Sequence, residues 1–312
     1  MQPLSSSACL LKRSITASLQ RLSRLLCYGL CGGFAWAHAG IVVNDDLGTR
    51  LRLERPAQRI ITLAPHLTET LFAAGAGERL IGAVAFSDYP EAAKKAASVG
   101  GYSQLDLEAI TALKPDLIIA WHSGNAPKHI DKLRALGLPV YVSQPQHIDD
   151  IASEIERLGL LAGSETTARM AAKNFRERLL QLRQRYADRP PVRTFYQVWN
   201  QPLTTIGGRQ IISDVIRLCG GENVFSRLDS LAPTLSEEAV LAANPEVIVA
   251  SGMDAARPEW LDRWRRWGSL LAVTQDNLFF VPPDLIQRHT PRLLDGAEQL
   301  CRQLETARSR RP

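Results

Sequence analysis

Residues Glu108–Ala120 read EAITALKPDLIIA, and residues Glu238–Ala250 read EAVLAANPEVIVA. The two stretches lie 130 positions apart throughout, with no gap, and share Glu, Ala, Ala, Pro, Ile and Ala in register. Each copy reads as a short helix, a proline-marked turn and an aliphatic run suited to a buried strand. One helix–turn–strand unit present twice predicts two α/β halves of similar build; a solenoid would need at least three copies.

Outward from the repeat, aliphatic runs recur at Ile60–Leu63, Leu80–Val84 and Val140–Val142 around the first copy. Thr194–Val198 and Phe279–Val281 flank the second. Short β-rich runs separated by helical segments argue for largely parallel sheets. Before them, Ile41 to Leu53 reads as a small hairpin turning at Asp46-Leu47-Gly48. From Ala168, the apolar residues Ala172, Phe175, Leu179, Leu182 and Tyr186 follow in steps of four and three, a single helical stripe. Ser164 stands where a cap would open this helix, and Asp188-Arg189-Pro190-Pro191 ends it. About 23 residues at ~1.5 Å each make a rod of roughly 34 Å. Such a rod can join the two halves, although periodicity alone also fits a surface helix of one half. The expected organisation is an N-terminal lobe over 40–163, a linker helix over 164–189, a C-terminal lobe over 190–306 and a charged tail over 307–312. Gly220, following an apolar helical stretch, suits a helix C-terminus.

Lys12, Arg13, Arg21 and Arg24 precede an apolar run from Leu25 to Ala37, and the small-x-small sites Ala35-Trp36-Ala37 and Ala37-His38-Ala39 follow. A basic flank, a short apolar core and such sites read as a cleaved secretory signal over residues 1–39. The apolar run, ~13 residues, is short of the ~20 that span a bilayer. Leu26 and Leu30 precede Cys27 and Cys31, where a lipid-anchoring site needs small residues. Without the segment's four basic residues the formal charge falls from +5 to +1, which leaves no electrostatic footprint for nucleic acid. Cysteine falls from five to two, Cys219 and Cys301. In an oxidising compartment such a pair reads as one disulfide, with two buried thiols as the alternative.

Motifs of catalysis are missing from the sequence: no G-x-S-x-G elbow, no P-loop, no G-x-G-x-x-G after a strand and no H-E-x-x-H. Apart from a loose His122/His129 pair, no two histidines stand at metal-ligand spacing, so no metal site is expected. Aromatic residues, by contrast, collect where strands end. Trp121 follows Leu117–Ala120, Tyr89 follows Leu80–Val84 through a short loop, Trp199 follows Thr194–Val198, and Tyr102 precedes the first repeat copy. Open α/β sheets bind ligands beyond the carboxyl ends of their strands. Four aromatics there could line one cleft and stack on a large, flat, partly apolar ligand, though each alone is more readily a packing residue. Asp284 and Arg288 lie just past Phe279–Val281, at the same rim; His66, after Ile60–Leu63, holds the equivalent place in the first half and is as readily a helix-start residue as a ligand contact. Glu108 and Glu238 open the two repeat copies. A helix start favours an acid on dipole grounds alone, but the symmetry also suits docking onto a two-fold partner.

From Arg50 to about Leu304 the chain resembles the solute-binding proteins of iron-siderophore, haem and vitamin B12 importers. The resemblance is carried by DDLGTRLRLERPAQRIITLAPHLTETLFAAGAGERLIGAV from Asp45, LEAITALKPDLII from Leu107 and CGGENVF from Cys219. It implies α/β architecture with two Rossmann-like lobes joined by one long α-helix, the class III periplasmic binding protein fold. It also implies a periplasmic monomer, not an enzyme, that carries its ligand to an ABC importer's permease and ATPase. Within the family, SDYP at Ser87–Pro90, the segment ending at Trp121, and QLC at Gln299–Cys301 are similar to the cobalamin-binding members. Carried over position by position, Tyr89, Trp121, Asp284 and Arg288 match cleft residues of those members. Tyr102 stands where they have a tryptophan, and Trp199 matches a cleft aromatic approximately. Glu108 and Glu238 match importer-docking glutamates, and Cys219 with Cys301 a disulfide. Before Pro233 the cobalamin-binding members have a cleft tryptophan, and this chain has Ala232. The expected cargo is cobalamin or a related corrinoid, carried as ligand rather than as catalytic cofactor. Haem or a ferric siderophore is the alternative, and a siderophore would call for several arginines around an anionic chelate.

Overall fold

A computed structural model describes residues 40–252 and 255–312; the expected signal segment lies outside the described residues. Ile41–Asn44 (β1) and Arg50–Leu53 (β2) pair antiparallel. Asp45 closes their turn by accepting from the backbone N–H groups of Leu47 and Thr49 at 3.0 and 2.7 Å.

The first large sheet contains Ile60–Thr62 (β3), Leu80–Ala83 (β4), Ala97–Ser98 (β5), Leu117–Trp121 (β6) and Val140–Ser143 (β7). Its order is β5-β4-β3-β6-β7, and every pairing is parallel. The second contains Val192–Gln197 (β8), Gly221–Asn223 (β11), Val247–Ala250 (β12) and Leu278–Phe280 (β13), ordered β11-β8-β12-β13 and again parallel. Between β8 and β11, the short strands Trp199–Asn200 (β9) and Leu203–Thr204 (β10) form a tight antiparallel pair. The two repeat copies supply β6 and β12 with their preceding helices, Leu107–Ala112 and Glu237–Ala243. Both strands are internal and covered on both faces, which explains their unbroken aliphatic runs.

The expected strands all form, within a residue or two at their ends. Sequence reading misses β5, β9, β10 and β11. Each is two or three residues long, and β5 and β11 are edge strands of small or polar residues without the aliphatic run that marks a buried strand.

The helix Glu165–Tyr186 has 22 residues. Its buried stripe is Ala168, Ala172, Phe175, Leu179, Leu182 and Tyr186, the period expected. Ser164 occupies the cap position, but its hydroxyl instead donates to the carbonyl of Ala74 at 2.6 Å, tying the helix to the first half. Alongside runs the helix Ile148–Ala162, and the two approach closely at Gly159: a Cβ there would sit 2.2 Å from that of Ala168. Arg176 holds Glu156 with two bonds of 2.7 Å, and Arg178 reaches Asp295 and Glu298 at 2.8 and 3.0 Å on the helix Leu293–Ser309. The linker is therefore pinned to elements of both halves.

Alternate residues of each large sheet feed different cores. Ile60, Leu117 and Ile119 of the first sheet, and Val192, Tyr196, Val247 and Val249 of the second, join one cluster that includes the whole linker stripe. Ile61, Ile118 and Ala120 face a second cluster confined to the first half, and Phe195, Ile248 and Ala250 a third confined to the second.

Cys219 and Cys301 are joined by a disulfide that closes an 82-residue separation. Gly220 follows the helix Ile211–Leu218 with φ +69°, the left-handed turn expected of it. The expected tail is not a tail. The last helix runs to Ser309, Ala307 is buried, and Arg308 donates to the carbonyls of Cys219 and Gly220 at 2.8 and 2.9 Å. Its guanidinium serves the carbonyls left open where the other helix ends.

Candidate functional site

Strand order reverses between β3 and β6 in the first sheet and between β8 and β12 in the second. Crevices beyond the carboxyl ends of strands at such switch points are where open α/β sheets bind ligands. A cavity of about 270 Å³ lies there. Trp121, Ser123 and Gln144 line it from the first half. Val198, Ile206, Arg209, Ile211, Ala232 and His289 line it from the second.

Trp121 ends β6 and is held from below. Its backbone N–H donates to Asn125 Oδ1 at 2.7 Å, and Asn125 Nδ2 donates to the carbonyls of Leu63 and Tyr102 at 2.9 and 2.8 Å. One buried amide thus ties the ends of β3 and β6 to the loop bearing Tyr102. Gly124 leaves room for the indole: a Cβ would meet the ring at 1.8 Å. The Tyr102 ring lies 6.0 Å from that of Trp121, and His66 packs edge-on to Trp121 at 5.0 Å. Asn125 carries little local signal in sequence, a Gly-Asn step shortly after a strand.

The other aromatics lie elsewhere on the rim. Tyr89 is half exposed beneath the Arg292 guanidinium, 3.8 Å above its ring, a cation–π contact. Trp199 sits in β9, and its neighbour Val198 rather than its own ring lines the cavity. Ala232 does line the cavity, so the departure from the family pattern falls inside the site.

Polar groups bridge the two halves at one edge of the cleft. Glu69, on the helix Pro65–Ala73, has a side chain 2 % exposed. It accepts from Arg288 at 2.8 Å and from Arg292 at 2.8 and 2.7 Å. Arg288 also meets Asp88 at 3.2 Å and Asp284 at 2.9 Å. The expected pair Asp284 and Arg288 is thus part of a five-residue network with three carboxylates and two guanidinium groups. Arg292 stands four residues beyond Arg288, as Arg288 does beyond Asp284. Glu69 carries no signal in sequence, because its partners lie more than 200 positions away.

Behind Trp121 two imidazoles meet, His66 from the first half and His289 from the second, with ring centroids 5.3 Å apart. Burial holds His66 well below its ordinary pKa, aided by His289 and Arg288, and lowers His289 to about 4. Both are neutral at neutral pH. Among the described residues no group of three or more His, Cys, Asp and Glu is placed to hold a metal ion. A larger groove of about 420 Å³ flanks the linker, but its charges are already paired, His147 with Asp214 at 2.8 Å and Arg183 with Asp149.

Glu108 and Glu238 lie in the first turns of their helices, exposed, behind the caps Asp106 and Ser236. The caps share the 130-residue offset, so the repeat begins before the glutamates. Among the described residues neither glutamate forms an ion pair.

Two parallel α/β sheets on a helical spine, with facing switch points, define a solute-binding protein of the periplasmic type. The chain belongs to the periplasmic binding protein family, whose sequence pattern it matches over residues 60–285. It is 41 % identical over 253 residues to the vitamin B12-binding protein of Vibrio cholerae, covering 81 % of this chain and 91 % of that one. The crystal structure of the periplasmic vitamin B12-binding protein of Vibrio cholerae superposes with a TM-score of 0.75 at 40 % identity, over 81 % of this chain and 98 % of that one. A periplasmic haem-binding protein from Pseudomonas aeruginosa shares the fold at 24 % identity and a TM-score of 0.68, over 78 % and 91 %. These relatives are binding proteins.

Proposed function

We propose that this protein captures cobalamin or a related corrinoid in the cleft between its lobes and delivers it to an ABC importer, without catalysing a reaction on it. The observation that carries this reading is the cavity at the facing switch points. Trp121 walls one side, and Val198, Ile206 and Ile211 wall the other. Apolar walls with a few polar groups suit a broad ring fringed with amides, and the vitamin B12-binding relatives at 41 % identity support the same cargo. In this reading Tyr89, Tyr102, Trp199, Asp284 and Arg288 meet the parts of the ligand that extend beyond the cavity, and His66 supports Trp121. Residues 1–39 direct export and are removed, and the mature protein works as a monomer in the periplasm.

Delivery uses Glu108 and Glu238. Each is exposed at the start of equivalent helices in the two halves, so a two-fold membrane partner can meet one on each side through charge-assisted bonds to its arginines. Haem is the second reading, favoured by Ala232, which removes one stacking wall. The test is a visible absorption spectrum of the purified protein after separate exposure to cobalamin and to haemin. Retention of haemin with no retained cobalamin would overturn the first reading.

A further inference from the structure

The repeat continues past its strands at an offset of 131. Residues Pro127–Gly137 read PKHIDKLRALG, and residues Pro258–Gly268 read PEWLDRWRRWG, with Pro, Asp, Arg and Gly shared in register. Each segment follows the carboxyl end of a repeat strand, β6 or β12. Both bury the same two positions, Ile130 and Leu133 in the first half, Leu261 and Trp264 in the second. The copies part where the chain is exposed or half-buried: His129, Ala135 and Leu136 become Trp260, Arg266 and Trp267. The first half folds the same unit without those tryptophans, so packing alone does not call for them. Trp260 and Trp267 are indeed only partly buried against the core of their half.

The replaced residues line a groove of about 140 Å³ between this segment, the β9–β10 hairpin and the start of the helix Glu237–Ala243. Trp264 is buried beneath it, its indole N–H donating to Gln197 Oε1 at 2.7 Å. Arg266 stands 5.3 Å over the Trp267 ring and pairs with Glu237. Asp262 holds Arg257 and Arg265, and Asp276 holds Arg265 as well. Arg263 differs. It is exposed, lines the groove, and has no carboxylate partner among the described residues. A free guanidinium beside part-buried indoles is the composition of a protein interface, where Trp and Arg carry much of the binding energy.

The groove's place selects its occupant. Glu237 lines it, and the next residue, Glu238, is the glutamate assigned above to the importer. An acid and a free arginine on adjoining ground suit one partner face that offers an arginine to the first and an acid to the second, and paired contacts of opposite sign fix register. We infer that the groove of Trp260, Arg263 and Trp267 is a further docking contact, present on the C-terminal half alone, for an acidic side chain flanked by an apolar one on the importer's membrane subunit. This rests on the docking reading of Glu238. A two-fold importer then grips the halves unequally, by a glutamate on the first and by a glutamate and this groove on the second.

The test uses the full chain, each variant replacing the chromosomal copy, with uptake of labelled cobalamin as the readout and calorimetry of the purified proteins alongside. Arg263→Glu is expected to bind cobalamin as the wild type does and to lower uptake at least about fivefold, as loss of a hot-spot contact does. Trp260→His with Trp267→Leu, which restores the first half's residues, should act in the same direction. Lys132→Glu, at the position matching Arg263, should leave uptake unchanged. Benzoylphenylalanine in place of Arg263 should photo-cross-link to the membrane subunit, identified by peptide mass spectrometry, a readout that stands even if the tryptophan variant fails to fold. Wild-type uptake in Arg263→Glu, an equal loss in Lys132→Glu, a loss of cobalamin affinity that accounts for the lost uptake, or no such cross-link would each overturn the assignment. Impaired uptake in Glu108→Ala with Glu238→Ala, beside wild-type uptake in Arg263→Glu, would sink this inference alone; wild-type uptake in both would sink the docking reading with it.

Discussion

Glu69 offers the sharpest test of how the two lobes are held. Its carboxylate accepts three bonds of 2.7 to 2.8 Å from Arg288 and Arg292. Removing one partner of a buried ion pair costs about 3–5 kcal/mol, because the remaining charge is left uncompensated. Here the loss is uneven. In Glu69→Ala, Arg288 keeps Asp88 and Asp284, but among the described residues Arg292 keeps only its stack on Tyr89. The Arg292 side chain is 20 % exposed, so water can recover part of the loss. A net cost of about 2–3 kcal/mol follows. For a protein of this size each kcal/mol moves the melting midpoint by about 2–4 °C, so Glu69→Ala should melt roughly 4–12 °C lower. Glu69→Gln, which keeps the volume and one acceptor, should lose about half as much. Calorimetry of Glu69→Ala, Arg292→Ala and the double variant gives the coupling directly. A Glu69→Ala midpoint within 1 °C of wild type, or single effects that simply add, would refute the bridge as a source of cohesion.

Four further outcomes follow from the structure. Burial raises the Glu154 carboxyl to about 8 against 4.5 in the unfolded chain, so the native state holds a proton the unfolded state has lost, and stability falls as pH rises from about 4.5 to 8. Glu154→Gln should remove that slope and be about 3 kcal/mol more stable than wild type at pH 7, with no advantage near pH 4, in urea titrations at both values. Replacing Cys219 and Cys301 by serine opens the 82-residue loop and should cost roughly 4 kcal/mol in the same assay; unchanged stability would show the bond to be incidental. Trp121→Ala should weaken cobalamin binding by roughly 1–3 kcal/mol in calorimetry, and unchanged affinity would remove the indole from the site. Glu108→Ala with Glu238→Ala should leave ligand affinity intact and impair uptake, each single change doing less; wild-type uptake over a range of salt concentrations would leave both as helix-start residues only.

What could be read in advance divides by range. The repeat exposed β6 and β12 because each is a short unit whose helix, proline turn and strand are contiguous. The linker stripe was legible because Ala172 to Tyr186 repeat the helical period without interruption. Trp121 ends β6 and Trp199 falls in β9 just past β8, but only their folded directions separate Trp121, which lines the cavity, from Trp199, which does not. The Glu69 network was illegible for a plainer reason: its members meet across 219 and 223 positions, and no local pattern marks a buried acid with two arginine partners. The last residues misled because Arg308, Arg310 and Arg311 look like a solvated run, whereas each donates to a carbonyl or carboxylate of the C-terminal half.

The core that runs from Ile60 through the linker stripe to Leu304 couples the two lobes in unfolding as well as in shape. Either lobe made alone would turn Phe175, Leu179 and Leu182, or the residues that meet them, toward water. Halves that share their apolar interior do not melt separately, so heat should take the chain through one transition in which calorimetric and van't Hoff enthalpies agree. Amides buried in β6 and in β12 should then exchange with solvent at a common rate, set by global opening rather than by the lobe to which each belongs.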